Sequence, residues 1–280
     1  MPRTRLETIN IFIGTNNSGK SSFIQGFQVA ISSCQTLKIK NIFWQRVTES
    51  QTSALDSTDY LYTPTRHIEN LYHGKRLVGS RKKADRISMS FSFDDGNIST
   101  INVSGGKNGG FTTTLSGKTL GLKLGDIENP YCIYVPGIAG ITVQVKYEVP
   151  IAIKKSATRG DSNNYLRNII LSISQDPSKW DSFIMSINKI YNNIDVKVIF
   201  KEDISEFIEA TVVNENLELP LDSVGTGLLQ IIQIFAYIEY FNPKIILLDE
   251  PRGMLEKRTC RGVRNCCESW RFFHVEPAPI

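Results

Sequence analysis

The sequence predicts an α/β fold with a mostly parallel core sheet and a separate antiparallel, β-rich lobe. Three observations predict it. An apolar strand pattern at residues 6–13 leads through a glycine-containing turn into a helical pattern. Residues 86–135 alternate apolar and polar side chains between glycine-rich turns, which is typical of an antiparallel insertion. A helical pattern at 223–240 precedes a continuous apolar run at 245–248, which is typical of a buried parallel strand.

The remaining elements follow the same local rules. Apolar residues recur at helical spacing from Gly19 into the thirties, so a helix is predicted there. Residues 49–66 are rich in Ser and Thr and are predicted to form a loop. Further elements are predicted in this order: a strand at 131–135, helices after Asp161 and after Asp181, and strands at 194–200 and 207–213.

Composition excludes several classes of protein. The 280 residues are 41% hydrophobic, yet no apolar run reaches the roughly 18–20 residues of a membrane span. The first residues lack the apolar stretch of a secretory signal, and five cysteines do not suit a disulfide framework. We expect a soluble cytoplasmic protein that has no membrane partner. Residues 252–280 hold six Lys/Arg against three Asp/Glu, so the net charge of +4 does not by itself indicate a nucleic-acid partner.

Residues 14–21 (GTNNSGKS) fit the phosphate-binding pattern G-x-x-x-x-G-K-[ST]. Glycines let the backbone wrap a phosphate, and the following helix adds the positive end of its dipole. A chance match in a Gly/Asn turn is disfavoured, because the motif lies between a strand and a helix. Lys20 is the predicted catalytic cation and Ser21 a predicted Mg²⁺ ligand. The predicted ATP-binding residues here are Gly14, Asn16, Asn17, Ser18, Gly19, Lys20, Ser21 and Ser22.

Two acids follow the apolar run at 245–248. A carboxylate at the C-terminal end of a parallel strand lies at the edge where such sheets bind ligands. Asp249 is therefore a predicted Mg²⁺ ligand, and Glu250 is the predicted general base for an attacking water. These two motifs are typical of Walker A and Walker B.

Residues 221–227 (LDSVGTG) lie at the start of the helical pattern at 223–240. Two interpretations are open. Ser223 is a simple helix N-cap, or Ser223, Gly225 and Gly227 form a second anion-binding turn. The position of this segment, some twenty residues before Asp249, favours the second interpretation.

Together the three segments resemble the ABC/SMC-type AAA ATPase domains of RecF and of the overcoming-lysogenization-defect (OLD) nucleases. The resemblance implies a P-loop NTPase fold and an ATPase head at residues 1–251 with its β-rich insertion at about 86–135. It also implies a homodimer in which Ser223, Gly225 and Gly227, as the ABC signature, contact nucleotide bound by the other subunit. For the Q-loop glutamine of such proteins the candidates are Gln144 and Gln175.

The resemblance stops at Pro251. Arg252, Gly253 and Met254 stand where the family has its D-loop, and His274 is the only later histidine. Residues 252–280 form an atypical tail that we expect to be poorly ordered, so the head looks truncated after Walker B.

The sequence therefore predicts an ATP-binding and ATP-hydrolysing head that uses Mg²⁺. Its dimerisation on nucleotide would regulate a partner nuclease or a DNA-associated complex. Two alternatives stay open: an ATP-binding regulatory module with little turnover, and an inactive truncated fragment.

Overall fold

The computed structural model describes residues 9–14, 19–65, 67–71, 77, 86–92, 95–106, 110–137, 141–215, 217–249 and 271–277. The helices are α1 Lys20–Ile39, α2 Lys118–Leu124, α3 Pro150–Arg159, α4 Leu166–Ser174, α5 Pro177–Asn188 and α6 Thr226–Phe241. The strands are β1 Ile9–Gly14, β2 Ser50–Leu55, β3 Arg86–Ser92, β4 Ile98–Gly105, β5 Phe111–Ser116, β6 Cys132–Val135, β7 Ile194–Ile199, β8 Glu209–Asn214, β9 Leu217–Pro220, β10 Ile245–Asp249 and β11 Arg271–Pro277. Short 3-10 helices lie at Ile68–Leu71, Ser162–Tyr165 and Leu221–Ser223.

Four strands form a parallel sheet in the order β1-β11-β10-β6. The four apolar residues of β10 are all buried, which explains their uninterrupted hydrophobic run. Because every strand of this sheet runs in the same direction, the C-terminal ends of β1 and β10 reach the same edge.

The other strands are antiparallel, in a four-stranded sheet of order β2-β5-β4-β3 and a three-stranded sheet of order β7-β8-β9. The prediction of a mostly parallel core is thus only partly confirmed, since the parallel sheet is small. Strand β2 lies in the Ser/Thr-rich segment predicted as a loop, and that prediction is wrong for Ser50–Leu55. Its inward residues Gln51 and Leu55 give the local pattern little apolar signal.

The chain divides into two compact units. One unit comprises Met1–Ser21 with Cys132–Ile280, and the other comprises Ser22–Tyr131. In the first unit, α6 is buried on all sides from residue 229 to 238, which fits its continuous apolar sequence. In the second, inward residues alternate along β4 and β5, and most of α1 is buried. Among the residues that the structure describes, no helix is both long and apolar enough to cross a membrane.

Strand β11 comes from the tail that the sequence predicts to be poorly ordered. It pairs with β1 on one side and with β10 on the other. Phe272, Phe273 and Val275 have the side-chain types that favour strands. The structure describes Arg271–Pro277 of this tail as a strand, whereas residues 252–270 and 278–280 lie outside the described part of the chain.

Candidate functional site

The turn between β1 and α1 is the first part of the candidate site. Gly14 ends β1, and Lys20 begins α1. Gly19 has φ of +89°, in the left-handed region that favours glycine, and no described atom lies within 4 Å of a Cβ added there. The backbone conformation, rather than crowding, therefore requires glycine at this position. Asn16, Asn17 and Ser18 lie outside the described residues.

The N-terminus of α1 has the features of an anion site. The first N–H groups of a helix have no partner within the helix, and the helix dipole makes this end positive. Lys20, Ser21 and Ser22 occupy the first turn, which contains no acidic residue. The Lys20 side chain is half-buried, whereas Ser21 and Ser22 are exposed. This end of the helix can therefore receive a phosphate.

Asp249 ends β10 and is held by a neighbouring strand. Tyr134 on β6 lies opposite Leu247, so its side chain is on the same face of the sheet as that of Asp249. The Tyr134 hydroxyl donates a hydrogen bond to Asp249 Oδ2 at 3.1 Å. The bond fixes the orientation of the carboxylate. Tyr134 was not among the predicted site residues, and Glu250 lies outside the described residues.

The sheet register relates Asp249 to the turn after β1. Asp249 is level with Val275 on β11, which is level with Phe12 on β1. Two strand spacings separate β10 from β1, about 10 Å. Gly14 lies two residues further along the strand direction than Phe12. The sheet thus brings the start of the P-loop motif and the Asp249 carboxylate to one edge.

Both predicted Mg²⁺ ligands, the Ser21 hydroxyl and the Asp249 carboxylate, offer oxygen atoms, which are the donors that Mg²⁺ prefers. In the described ranges, no three or more His, Cys, Asp or Glu side chains cluster as metal ligands. A magnesium ion that is held by one or two protein oxygens together with phosphates needs no such cluster. The donor set therefore fits Mg²⁺ bound together with a nucleotide.

The segment before α6 differs from a simple helix cap. The N-cap of α6 is Gly225, and no described side chain caps it. Ser223 ends the 3-10 helix Leu221–Ser223 and is exposed. The interpretation of Ser223 as the N-cap is therefore wrong.

Neither conformation nor space within the described chain explains the glycine at position 225. Gly225 has φ of −55°, which any residue adopts, and no described atom lies within 4 Å of an added Cβ. Gly227 lies in the first turn of α6 and is half-buried. Ser223 and Gly225 are thus presented to the exterior of the described chain.

A buried arginine holds the residue before Ser223. Arg167 on α4 donates from Nη2 to Asp222 Oδ1 at 2.6 Å, and its side chain is only 4% exposed. Its Nη1 donates to the backbone oxygen of Thr142. Burial lowers the pKa of Arg167, and the neighbouring Asp222 opposes that shift. Local sequence patterns do not indicate this pair, because its members lie 55 residues apart.

The two Q-loop candidates occupy different settings. Gln144 is exposed in the segment after β6, two residues beyond Thr142. Gln175 is the C-cap residue of α4 and is also exposed. His274 lies in the middle of β11, level with Leu248 on β10 and Ile11 on β1. The Q-loop assignments of Gln144 and Gln175 therefore stay predictions.

Comparison with solved structures finds SMC head domains. An SMC head bound to the C-winged helix domain of ScpA is 13% identical, with a TM-score of 0.55, over 96% of this chain and 82% of that chain. An SMC head with an extended coiled coil, bound to the C-terminal domain of ScpA derived from Pyrococcus furiosus, is 10% identical with a TM-score of 0.50. That alignment covers 96% of this chain and 83% of the other.

RecF with ATP is a weaker match, with 11% identity and a TM-score of 0.40 over 98% of this chain and 87% of that one. No protein-family model matches the chain, and no curated protein matches its sequence. The fold is nevertheless recognisable: the chain shares the fold of SMC head domains, which agrees with the resemblance seen in the sequence.

Proposed function

We propose that the chain is an ATP-binding and ATP-hydrolysing head. The observation that carries the proposal is the shared sheet edge, where the positive-φ Gly19 introduces the N-terminus of α1 and Tyr134 orients the Asp249 carboxylate. A helix N-terminus preceded by a glycine turn binds phosphate, and an acid at the neighbouring strand end suits the metal that accompanies it. The SMC-like fold supports the same activity.

In this proposal the site residues have separate roles in ATP hydrolysis. Residues 14–22 bind the phosphates, and the Lys20 ammonium neutralises charge that develops on the γ-phosphate. Ser21 and Asp249 would hold Mg²⁺, which would supply further neutralisation of phosphate charge. Glu250 takes the proton of the attacking water as the bond from the γ-phosphorus to the bridging oxygen breaks. The products are ADP and inorganic phosphate.

The second part of the proposal is a nucleotide-dependent homodimer. Ser223, Gly225 and Gly227 of one subunit would contact the γ-phosphate held by the other. This part is supported by the exposure of Ser223 and by the unexplained glycine at 225, where a side chain would meet no atom of the described chain. A glycine without an internal reason is expected where another molecule approaches the backbone closely.

A purified sample of the chain tests the ATPase part of the proposal. Lys20→Ala is expected to weaken ATP binding at least about tenfold, because an ammonium contact to phosphate is lost. Lys179→Ala, an exposed lysine on α5, is the matched control. Glu250→Gln is expected to bind ATP normally and to release phosphate at least about a hundredfold more slowly. A wild-type rate equal to that of Glu250→Gln would support the regulatory module instead.

We further propose that closure of the dimer acts on a partner nuclease or a DNA-associated complex in the cytoplasm. One similar SMC head binds a domain of ScpA, so the fold is compatible with such partners. The unit Ser22–Tyr131 holds 13 Lys/Arg against nine Asp/Glu, and the other unit is neutral with 19 of each. Taken by itself, the unit that contains the antiparallel β2–β5 sheet has a net charge of +4, which would suit a polyanionic partner.

Binding of the chain to DNA can be measured directly. Fluorescence anisotropy of a labelled duplex should rise with added protein more in the presence of ATP than in its absence. The apparent affinity should fall steeply between 50 mM and 200 mM salt, because released counterions drive such binding. If ATP has no effect on binding, DNA is not the ligand of the closed dimer, and a partner nuclease remains the proposed target.

A further inference from the structure

Arg167 joins two segments that the proposed function uses separately. Its guanidinium binds the carboxylate of Asp222, immediately before Ser223, and the backbone oxygen of Thr142, two residues before Gln144. We call these three groups the Arg167 bridge. Arginine presents its donors in a rigid planar fork, so the two bonds fix the two segments relative to each other.

Residues 221–227, which we call the signature segment, are anchored on both sides of the exposed Ser223. Leu221 is completely buried, and Asp222 is held by the Arg167 bridge. Val224 packs against the core cluster of the same unit. Ser223 and Gly225, which alternate with these anchors, are exposed. The anchoring contacts therefore determine how these two residues are presented.

The segment that carries Gln144 is tied to the same turn of α4. The Asn168 side chain donates to the Lys146 oxygen at 2.9 Å and accepts from the Glu148 backbone at 2.8 Å. The Thr142 hydroxyl donates to Asn164 Oδ1 at 3.3 Å. Both Arg167 and Asn168 are buried. Two consecutive residues of α4 thus hold residues 142–148.

We propose that Arg167 is a positioning residue: it holds Ser223 and Gly225 in the arrangement that engages nucleotide on a second copy of the chain, and it links that arrangement to the segment carrying Gln144. The inference rests on the proposed ATPase and its dimer. A buried ion pair is weak evidence for stability, since apolar residues often replace such a pair without loss. Its location at the base of the signature segment gives it a positional role.

The first test replaces both charges and keeps the side-chain volume. The double variant Arg167→Met/Asp222→Leu is expected to keep a cooperative melting transition and to bind ATP within about threefold of wild type. At saturating ATP its kcat is expected to fall at least about tenfold while KM changes little. The reason is that the contact of Ser223 with nucleotide of the other subunit, which the variant weakens, is made only on closure. The exposed pair Lys197–Glu218, with a bond of 2.8 Å, provides the matched control Lys197→Met/Glu218→Leu.

The second test uses Arg167→Lys. Lysine keeps the charge beside Asp222 but lacks the planar fork that reaches both acceptors. We expect a kcat between those of the double variant and wild type. If Arg167→Lys and the double variant both turn over ATP as wild type does, Arg167 positions nothing and the inference is overturned.

The third test separates positioning from damage to the nucleotide pocket. The double variant is mixed in equal amounts with Lys20→Ala. In a mixed dimer, the intact P-loop of the first subunit faces the intact signature of the second, so about a quarter of wild-type activity should return for independent sites. Ser223→Ala mixed with Lys20→Ala is the reference.

The outcomes distinguish this inference from the function on which it rests. If the Ser223→Ala mixture regains activity and the Arg167→Met/Asp222→Leu mixture does not, the bridge has only a local structural role and the proposed dimer stands. If neither mixture regains activity, the trans-acting signature is wrong, and the inference falls with it. Recovery in both mixtures confirms the positioning role.

Discussion

The hydroxyl of Tyr134 donates a hydrogen bond to Asp249 Oδ2 across the pairing of β6 with β10. The two residues are 115 positions apart in the sequence. A carboxylate that is already oriented loses less freedom when a metal binds, which is how neighbouring residues raise the affinity of a metal site. The bond thus connects a strand without a recognised motif to the proposed Mg²⁺ site.

Tyr134→Phe should raise the Mg²⁺ concentration needed for half-maximal ATP hydrolysis by about tenfold, because loss of such a supporting contact has effects of this size. A magnesium titration of phosphate release measures it. Tyr60→Phe is the matched control, since Tyr60 is hydrogen-bonded to Thr113 in the other unit. An unchanged magnesium requirement in Tyr134→Phe would show that Asp249 needs no orientation by this bond.

Gly19→Ala should weaken nucleotide binding and destabilise the fold by about 1–2 kcal/mol, because a side chain disfavours the left-handed conformation that Gly19 adopts. Urea unfolding and equilibrium ATP binding are the two measurements. ATP should also protect the variant against thermal unfolding less than it protects wild type. Equal protection of both proteins by ATP would contradict a role for this turn in binding.

Gly225→Ala should leave the free energy of unfolding within about 0.5 kcal/mol of wild type, because its backbone conformation is ordinary and the added Cβ meets no described atom. ATP-dependent self-association should nevertheless weaken, since the methyl group would stand where a second subunit approaches. Analytical ultracentrifugation of both proteins, each carrying Glu250→Gln, measures this. An alanine variant that dimerises normally would remove the argument from the unexplained glycine.

Cys34 predicts a pH dependence of stability. Burial raises the pKa of this thiol from 9.0 to about 12. The unfolded chain ionises the thiol first, so the stability it contributes is complete below pH 9 and is lost as the pH rises towards 12. Between pH 8 and pH 10.5, wild type should lose about 2 kcal/mol more than Cys34→Ala. Urea unfolding of both proteins at the two pH values measures this difference. Equal losses of unfolding free energy in the two proteins would contradict the raised pKa of Cys34.

Local sequence patterns predicted the helices and strands that are specified by residues close together in the sequence. The helix after Gly19, the apolar strand before Asp249 and the helix before that strand all follow from residue spacing, and the structure confirms them. Gly19 itself was predictable, because the phosphate-binding pattern requires a permissive residue there. Such features depend on residues within one or two turns of each other.

Contacts between distant segments were not predictable from the same patterns. Nothing in the sequence near Tyr134 indicates that it pairs beside Asp249, and nothing near Arg167 indicates Asp222 as its partner. Strand β2 was missed because only two of its six residues are buried. Strand order and register depend on packing between segments that are distant in the sequence. Local residue patterns therefore do not determine them.

The position of β11 between β1 and β10 determines when the parallel sheet is first complete during synthesis. On the ribosome, residues 9–14 and 245–249 emerge before residues 271–277, which must insert between them. Until then, the facing edges of β1 and β10 lack their partner. The pairing of β1 with a strand so distant in the sequence is slow to form. The nascent chain therefore completes this sheet only after residues 271–277 have been synthesised. If ATP binds at this edge as proposed, it would stabilise only chains that have completed this insertion.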